Sequence, residues 1–270
     1  MIGLPLIIAA QIFIIAVALN QSLSVSYFKI ATDKIDGEMK FVLVTDFHSC
    51  NYGKSQSELL GAIDAEQPDA VLLCGDIFDD KLLPDNTIEL IKGIKYPCYY
   101  VTGNHEFWSR KADDFKNILR YYGVKVLEGT SEILEIRGER VRICGIDDPD
   151  TDNYPSGSAS YALQVEKLKT TIESTIFTLL LSHRPERITE LLQLNPDLVL
   201  SGHAHGGQWR IPYILENGLL APNQGLFPKY TNGAYYFGGS ELIVSRGLAR
   251  ESTAVPRIFN QPELVVITLE

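Results

Sequence analysis

The apolar residues of this chain fall into short runs separated by segments of helical periodicity. Five runs, Phe41–Thr45, Ala70–Cys74, Cys98–Thr102, Phe177–Ser182 and Leu198–Ser201, are β-prone and too short for stable helices, so they predict strands. Between and beside them, Ser55–Glu66, Asn86–Lys95, Asp113–Tyr122, Tyr161–Ser174 and Glu186–Leu194 carry helical spacing, with Pro68, Pro97, Pro185 and Pro196 marking boundaries. Further strands are expected at Glu132–Ile136, Val141–Gly145, Glu241–Ser245 and Leu264–Thr268, the last of which should close the sheet. Strands that alternate with helices in this way predict an α/β domain.

The amino-terminal stretch follows another pattern. From Ile2 to Leu19 there is no charge and Gln11 is the one strongly polar side chain, a length just sufficient to cross the hydrocarbon layer as a helix. It predicts a transmembrane anchor over residues 1–20, a polar linker over residues 21–40 and one domain over residues 41–270. Ala16-Val17-Ala18 also offers small residues at the spacing of a signal-peptide cleavage site, although no Lys or Arg precedes the apolar run. A buried core helix is a third reading, but such helices are usually amphipathic. Lys29, Lys34 and Lys40 follow the segment, so the positive-inside tendency expects a single-pass protein of the cell membrane with its domain in the cytoplasm.

The five strands run into Asp46-Phe47-His48, Gly75-Asp76, Gly103-Asn104-His105-Glu106, His183 and Gly202-His203-Ala204-His205, and these blocks hold all five histidines of the chain. Ligands of open α/β sheets gather beyond the carboxyl ends of strands, so five such ends can direct their polar residues to one place. Residues two apart in an extended segment point to the same side, which would let Asp46 with His48, and His203 with His205, each grip one ion. Glycines at 75, 103 and 202 permit tight turns or close backbone approach there. A single histidine is more often a packed or surface residue, but scattered structural histidines would not all collect at strand ends.

Composition narrows the partners. A chain of 270 residues with 45% hydrophobic and 21% charged residues can bury a solid core, and a net charge of −10 argues against nucleic acid as a general partner. Cys50, Cys74, Cys98 and Cys144 are too few and scattered for a disulfide framework and form no CxxC pair, so they are expected to be free thiols.

The ordered blocks resemble the calcineurin-like metallophosphoesterases, whose signature DxH, GDxxD, GNH[DE], H and GHxH is matched in full over about residues 41 to 270. The resemblance implies an αββα sandwich of two mixed sheets flanked by helices. It assigns Asp46, His48, Asp76 and His205 to one divalent metal ion and Asp76, Asn104, His183 and His203 to a second, with Asp76 between them. Oxygen and imidazole donors suit Mn²⁺, the first choice, or Fe²⁺ or Zn²⁺. His105 resembles the family histidine that stabilises the transition state or protonates the leaving group, and Asp79 would orient it. Two such ions activate water and stabilise the attacking and leaving oxygens of a displacement, so the resemblance implies hydrolysis of phosphate ester or pyrophosphate bonds.

The stretches Gly206-Gly207-Gln208-Trp209-Arg210-Ile211-Pro212 and Ser245-Arg246-Gly247 are similar to a membrane-associated bacterial branch, some members of which cut lipid-linked sugar diphosphates. Arg246 is a candidate phosphate clamp there, or a surface ion pair. The segment between Leu220 and Phe237 resembles a loop forming a substrate lip. Asp79 is followed by Asp80-Lys81 where protein serine/threonine phosphatases carry Arg-Gly, which argues against a protein phosphatase. A phosphodiesterase or nucleotidase of soluble substrates and a non-catalytic metal-bound scaffold are the alternatives.

Overall fold

The computed structural model describes residues 3–154, 156–172, 175–252 and 255–270. Helix α1 (Gly3–Ala18) precedes β1 (Ser24–Ile30) and β2 (Met39–Val44), and α2 (Ser57–Glu66), β3 (Ala70–Cys74), α3 (Asp85–Gly93) and β4 (Cys98–Val101) follow. The short α4 (Asn104–Trp108), α5 (Ala112–Tyr121) and β5 (Lys125–Val126) complete the first half. The second half adds β6 (Thr130–Ile136), β7 (Glu139–Gly145), α6 (Tyr161–Lys169), β8 (Phe177–Leu181), α7 (Ile188–Leu191) and β9 (Leu198–Ser201). A small hairpin of β10 (Leu220–Ala221) and β11 (Gly225–Leu226) leads to β12 (Gly233–Phe237), β13 (Ser240–Val244) and β14 (Glu263–Leu269).

The long strands form two six-stranded mixed sheets, ordered β1-β14-β2-β3-β4-β5 and β12-β13-β9-β8-β7-β6. The period-two alternation of the strands decides how they stack. In β2, Phe41 and Leu43 enter the same core as Leu179 and Leu181 of β8 and Leu198 and Leu200 of β9, so this core lies between the sheets. Val42 and Val44 face the other way, onto Leu59 and Ile63 of α2, Leu90 of α3 and Phe115 and Leu119 of α5. Across the second sheet, Leu180 and Val199 pack with Tyr161, Val165 and Leu168 of α6 and with Ile188 and Leu191 of α7. The result is an αββα sandwich. Each fully buried Leu or Phe of these layers is worth roughly 1.5–3 kcal/mol, so the layer between the sheets and the two beneath the helices together hold the sandwich.

Within each sheet, β2, β3 and β4, and likewise β7, β8 and β9, run parallel. Their carboxyl ends therefore emerge at common edges, where the polar blocks begin.

Four expectations from sequence are corrected. Residues 21–40 are not simply a linker, because Ser24–Ile30 pairs in parallel with Glu263–Leu269 as the edge of the first sheet. The last strand does not close that sheet; it lies between β1 and β2. Helix α6 stops at Lys169, and residues 173 and 174 of the expected helix lie outside the described residues. Among the described residues no helix is long and apolar enough to cross a membrane. The 16 residues of α1 rise about 24 Å at 1.5 Å each, short of a hydrocarbon core of about 30 Å, so a single-pass transmembrane helix is not supported. Ile2, where the expected span begins, lies outside the described residues.

Candidate metal centre

Where β2, β3 and β9 end, the backbone leaves extended geometry. Asp46 and His48 (φ 49° each), Asp76 (50°), His203 (65°) and His205 (46°) all adopt the left-handed region that non-glycine residues rarely occupy. Such residues cost of order 1–3 kcal/mol each and persist only where surroundings hold them. Here the holding is explicit: Asp46 N–H donates to Gly75 O (3.0 Å) and His48 N–H to Asp76 O (2.9 Å). The extended pairing expected for Asp46 with His48 and for His203 with His205 is thus replaced by tight turns.

Glu106 supplies a second brace. Its buried carboxylate accepts from the backbone N–H groups of Asp76, Ile77, Phe78 and Gly103 at 2.7–3.1 Å. Burial and the nearby Asp76 carboxylate push its pKa up to about 7, against the N–H bonds that favour the ionised form. Glycines complete the packing. A Cβ on Gly202 would lie 2.4 Å from Asp46 Oδ2 and 2.7 Å from Thr45 Cβ, and one on Gly103 would lie 2.2 Å from Asp76 Oδ1. Gly202→Ala is therefore expected to displace Asp46 and to cost about 1–3 kcal/mol of stability, measurable by denaturant unfolding. Unchanged stability together with unchanged metal affinity would show that the site is looser than this packing.

Among the described residues three groups of converging ligand atoms result: His48 with Asp79 and His105 at the rim, and two deeper ones that contain the expected metal ligands. The ligand atoms of Asp46, His48 and His205 lie within 4.8 Å of one another, as do those of Asp76, His183 and His203. Asp76 stands between them, with Oδ2 3.1 Å from His183 Nε2 and 3.7 Å from His48 Nε2. His203 and His205 therefore join different groups rather than gripping one ion together. Asn104 is buried beside them, and its Oδ1 has no hydrogen-bond partner.

Hydrogen bonds on the far side of three imidazoles fix their tautomers. His48 Nδ1 donates to Asp79 Oδ2 (3.1 Å), His183 Nδ1 to Cys74 O (2.8 Å) and His203 Nε2 to Asn223 Oδ1 (2.8 Å). Of the nitrogens left over, His48 Nε2 is buried without a hydrogen-bond partner, and His183 Nε2 faces the Asp76 carboxylate at 3.1 Å. Unpartnered buried polar atoms are costly, and here they converge with carboxylates. Burial opposes charge on His183, but Asp76 and Asp46 outweigh it and raise its pKa to about 10. Burial, reinforced by the His183 charge, lowers His203 to about 3. The carboxylates thus draw positive charge into a spot lined by imidazole nitrogens, an arrangement suited to divalent cations.

His105 lies at the rim. Its Nδ1 is 2.7 Å from Asp80 Oδ1 but 3.6 Å from Asp79 Oδ2. Asp80 is thus the nearer partner of His105, while Asp79, which bonds His48, stays within ion-pair range of His105 as well. The His105 ring meets His48 edge-on, with centroids 4.4 Å apart, and Trp108 at 4.7 Å. Arg246 is 3.0 Å from Glu263 Oε1 and donates to Ser24 Oγ, and it does not line the cavity above the centre. Of the two readings of Arg246, the ion pair is the contact present in this structure. Leu220 and Pro222 of the expected lip do line that cavity. Asp80, Trp108 and Asn223 were not singled out from sequence; only the doubled aspartate after Asp76 carries any signal. All four cysteines are buried and free.

The family pattern described as Calcineurin-like phosphoesterase matches residues 39–207, more than half of the chain. An uncharacterized metallophosphoesterase of Bacillus subtilis, YkuE, is 27% identical over 245 residues, covering 86% of this chain and 79% of that protein. A Danio rerio protein named "Transmembrane protein with metallophosphoesterase domain" is 29% identical over 228 residues, covering 77% of this chain, which spans 51% of it. Among solved structures, the NAD nucleotidase of Haemophilus influenzae superposes with a TM-score of 0.55 at 16% identity, over 79% of this chain and 46% of that one. At that identity the likeness concerns the fold alone.

Proposed function

Because the chain belongs to the calcineurin-like phosphoesterase family and is a metal-dependent phosphoester hydrolase, we propose that it cleaves phosphodiester or pyrophosphate bonds of substrates presented at a membrane surface. The observation that carries the chemistry is the position of Asp76 between two donor groups beside His105. In this reading Asp46, His48, Asp76 and His205 hold one divalent ion, and Asp76, Asn104, His183 and His203 hold the other. Two ions, when bound, supply an activated water and neutralise charge on the phosphoryl oxygens.

The chain's own residues do the rest. Glu106 and the left-handed turns keep the ligands in place before substrate arrives, so no reorganisation accompanies reaction. Asp79 orients His48 as a ligand. Asp80 holds the Nδ1–H of His105, so the doubly protonated ring presents its second proton on Nε2, gives it to the leaving oxygen and becomes the neutral imidazole. The two aspartates then separate by experiment. Asp79→Asn should weaken metal affinity about 10–100-fold, as loss of a ligand-orienting carboxylate does, whereas Asp80→Asn should leave metal content intact and slow only poor leaving groups. Equal effects of the two substitutions on metal affinity would remove this division of labour.

The membrane reading rests on α1. Ile7, Ile8, Ile12, Phe13, Ile14, Ile15 and Val17 are exposed on an uncharged helix, an all-round apolar surface that water does not favour. Ala18 O accepts from Phe259 N–H, and Ile258 N–H bonds to Gln208 O, so α1 connects to a wall of the cavity. A lipid-linked phosphate substrate fits this arrangement. Deleting residues 1–20, which spares β1, should preserve hydrolysis of soluble diesters and reduce hydrolysis of a bilayer-borne substrate, because surface capture raises effective concentration. An unchanged ratio of the two activities would leave the soluble-substrate alternative.

The catalytic claim is tested with chelator-stripped protein and bis(p-nitrophenyl) phosphate. Turnover restored by Mn²⁺, Fe²⁺ or Zn²⁺ supports it. Turnover indifferent to chelation, or absent with all three metals supplied, overturns it in favour of other chemistry or a scaffold.

A further inference from the structure

The cavity above the candidate centre, about 290 Å³, has two unlike halves. Its floor is formed by residues of the donor groups together with Asn104 and His105, while its walls are Trp108, Ala204, Leu220, Pro222 and Val255, joined by the uncharged Gln208 and Ser252. No Lys or Arg is among the described residues that line it. Cations behind the lining are held by other groups: Arg184 makes two 2.7 Å bonds to buried Asp148, Arg246 pairs with Glu263, and Arg257 donates Nε and Nη2 to backbone carbonyls, its Nη1 being buried without a hydrogen-bond partner. A second phosphate reaching past the centre would meet hydrocarbon, without the guanidinium partners that phosphates recruit.

The apolar wall is also held in place. Trp108 Nε1 donates to Asp150 Oδ2 (2.7 Å), and the same oxygen is 3.1 Å from the Arg184 guanidinium, so the indole is fixed beside His105. Facing residues are fixed by backbone: Leu219 N–H bonds to Gly207 O and Trp209 O (2.9 Å each), which pins Leu220 and the β10–β11 hairpin beside the loop that follows His205. A preformed apolar pocket with few polar groups binds by area rather than by charge.

We infer that this wall receives an alkyl or aryl substituent of the substrate, so that the substrate class is a phosphoester with one phosphoryl group at the centre and an apolar group beside it. This rests on the phosphoesterase reading above and selects, within it, hydrocarbon esters over polyphosphate chains. Trp108, Leu220 and Val255 are then the residues that set specificity.

The test measures calorimetric binding of n-alkyl phosphonates, from methyl to octyl, to Mn²⁺-loaded full-length protein. The expected result is a Kd that falls about fourfold per methylene over the first carbons, equivalent to about 0.8 kcal/mol each, and then levels. Leu220→Asn and Val255→Asn should flatten the slope, and butane-1,4-bisphosphonate should bind more weakly than butyl phosphonate. A Kd independent of chain length, or tighter binding of the bisphosphonate, overturns the inference. Turnover of methyl p-nitrophenyl phosphate, followed in parallel, keeps the two failures apart. Turnover with a flat chain-length series sinks the apolar subsite alone, whereas a steep series without turnover sinks the phosphoesterase reading and leaves the subsite standing.

Discussion

Asp76→Ala is expected to lower metal-dependent turnover by at least about 10³-fold, the largest effect of any single substitution in this centre. At 1.36 kcal/mol per decade that loss is about 4 kcal/mol, within the several kcal/mol of charge stabilisation that a metal site supplies. The reason is positional. Asp76 faces His183 and His48 at once, so its removal disables both donor groups, whereas loss of Asp46 touches the first group most directly. Burial alone would raise the pKa of Asp76, but His183 and His105 outweigh it and hold the carboxyl well below its ordinary value. The alanine variant should still fold, because the bonds from the Asp76 and Ile77 N–H groups to Glu106 use backbone that the substitution leaves in place. Metal analysis and turnover on the purified variant check this. Two bound ions with wild-type turnover would contradict the assignment.

His105→Ala should act differently, lowering turnover by about 10²–10⁴-fold, the span typical of a positioned proton donor, while both ions remain bound. His105 stands outside the two donor groups assigned to the ions, and its nearest acid partner is Asp80. The loss should shrink with activated leaving groups, since p-nitrophenolate departs without protonation. Equal losses for p-nitrophenyl and alkyl esters would show that His105 stabilises charge rather than delivering a proton.

Much of this centre was legible in the sequence because strand ends are. Phe41–Val44, Ala70–Cys74 and Leu198–Ser201 are continuous apolar runs, as strands buried on both faces must be, and each stops where Asp46, Asp76 or His203 begins. Ser24–Ile30 was harder. It is an edge strand that leaves Tyr27 and Lys29 exposed, so its residues read as a connector, and what fixes it is β14, more than 230 residues away. The nearer partner of His105 was hard to read for a related reason. Asp79 and Asp80 occupy one turn, and spacing cannot tell which carboxylate reaches His48 and which reaches His105. Asn223, which fixes the tautomer of His203, lies on a loop with no periodic signal at all. The N-terminal segment shows the converse limit: hydropathy identified an apolar helix, but its described length of 16 residues does not reach across a bilayer.

The central claim is that five strand ends build a centre for two divalent ions that share Asp76. Anomalous scattering from crystals of the wild-type protein grown with Mn²⁺ tests it most directly. Two peaks are expected, one among Asp46, His48 and His205 and one among His183, His203 and Asn104, each within coordination distance of Asp76. No peak at these residues, or a lone peak that Asp76 does not touch, would contradict it.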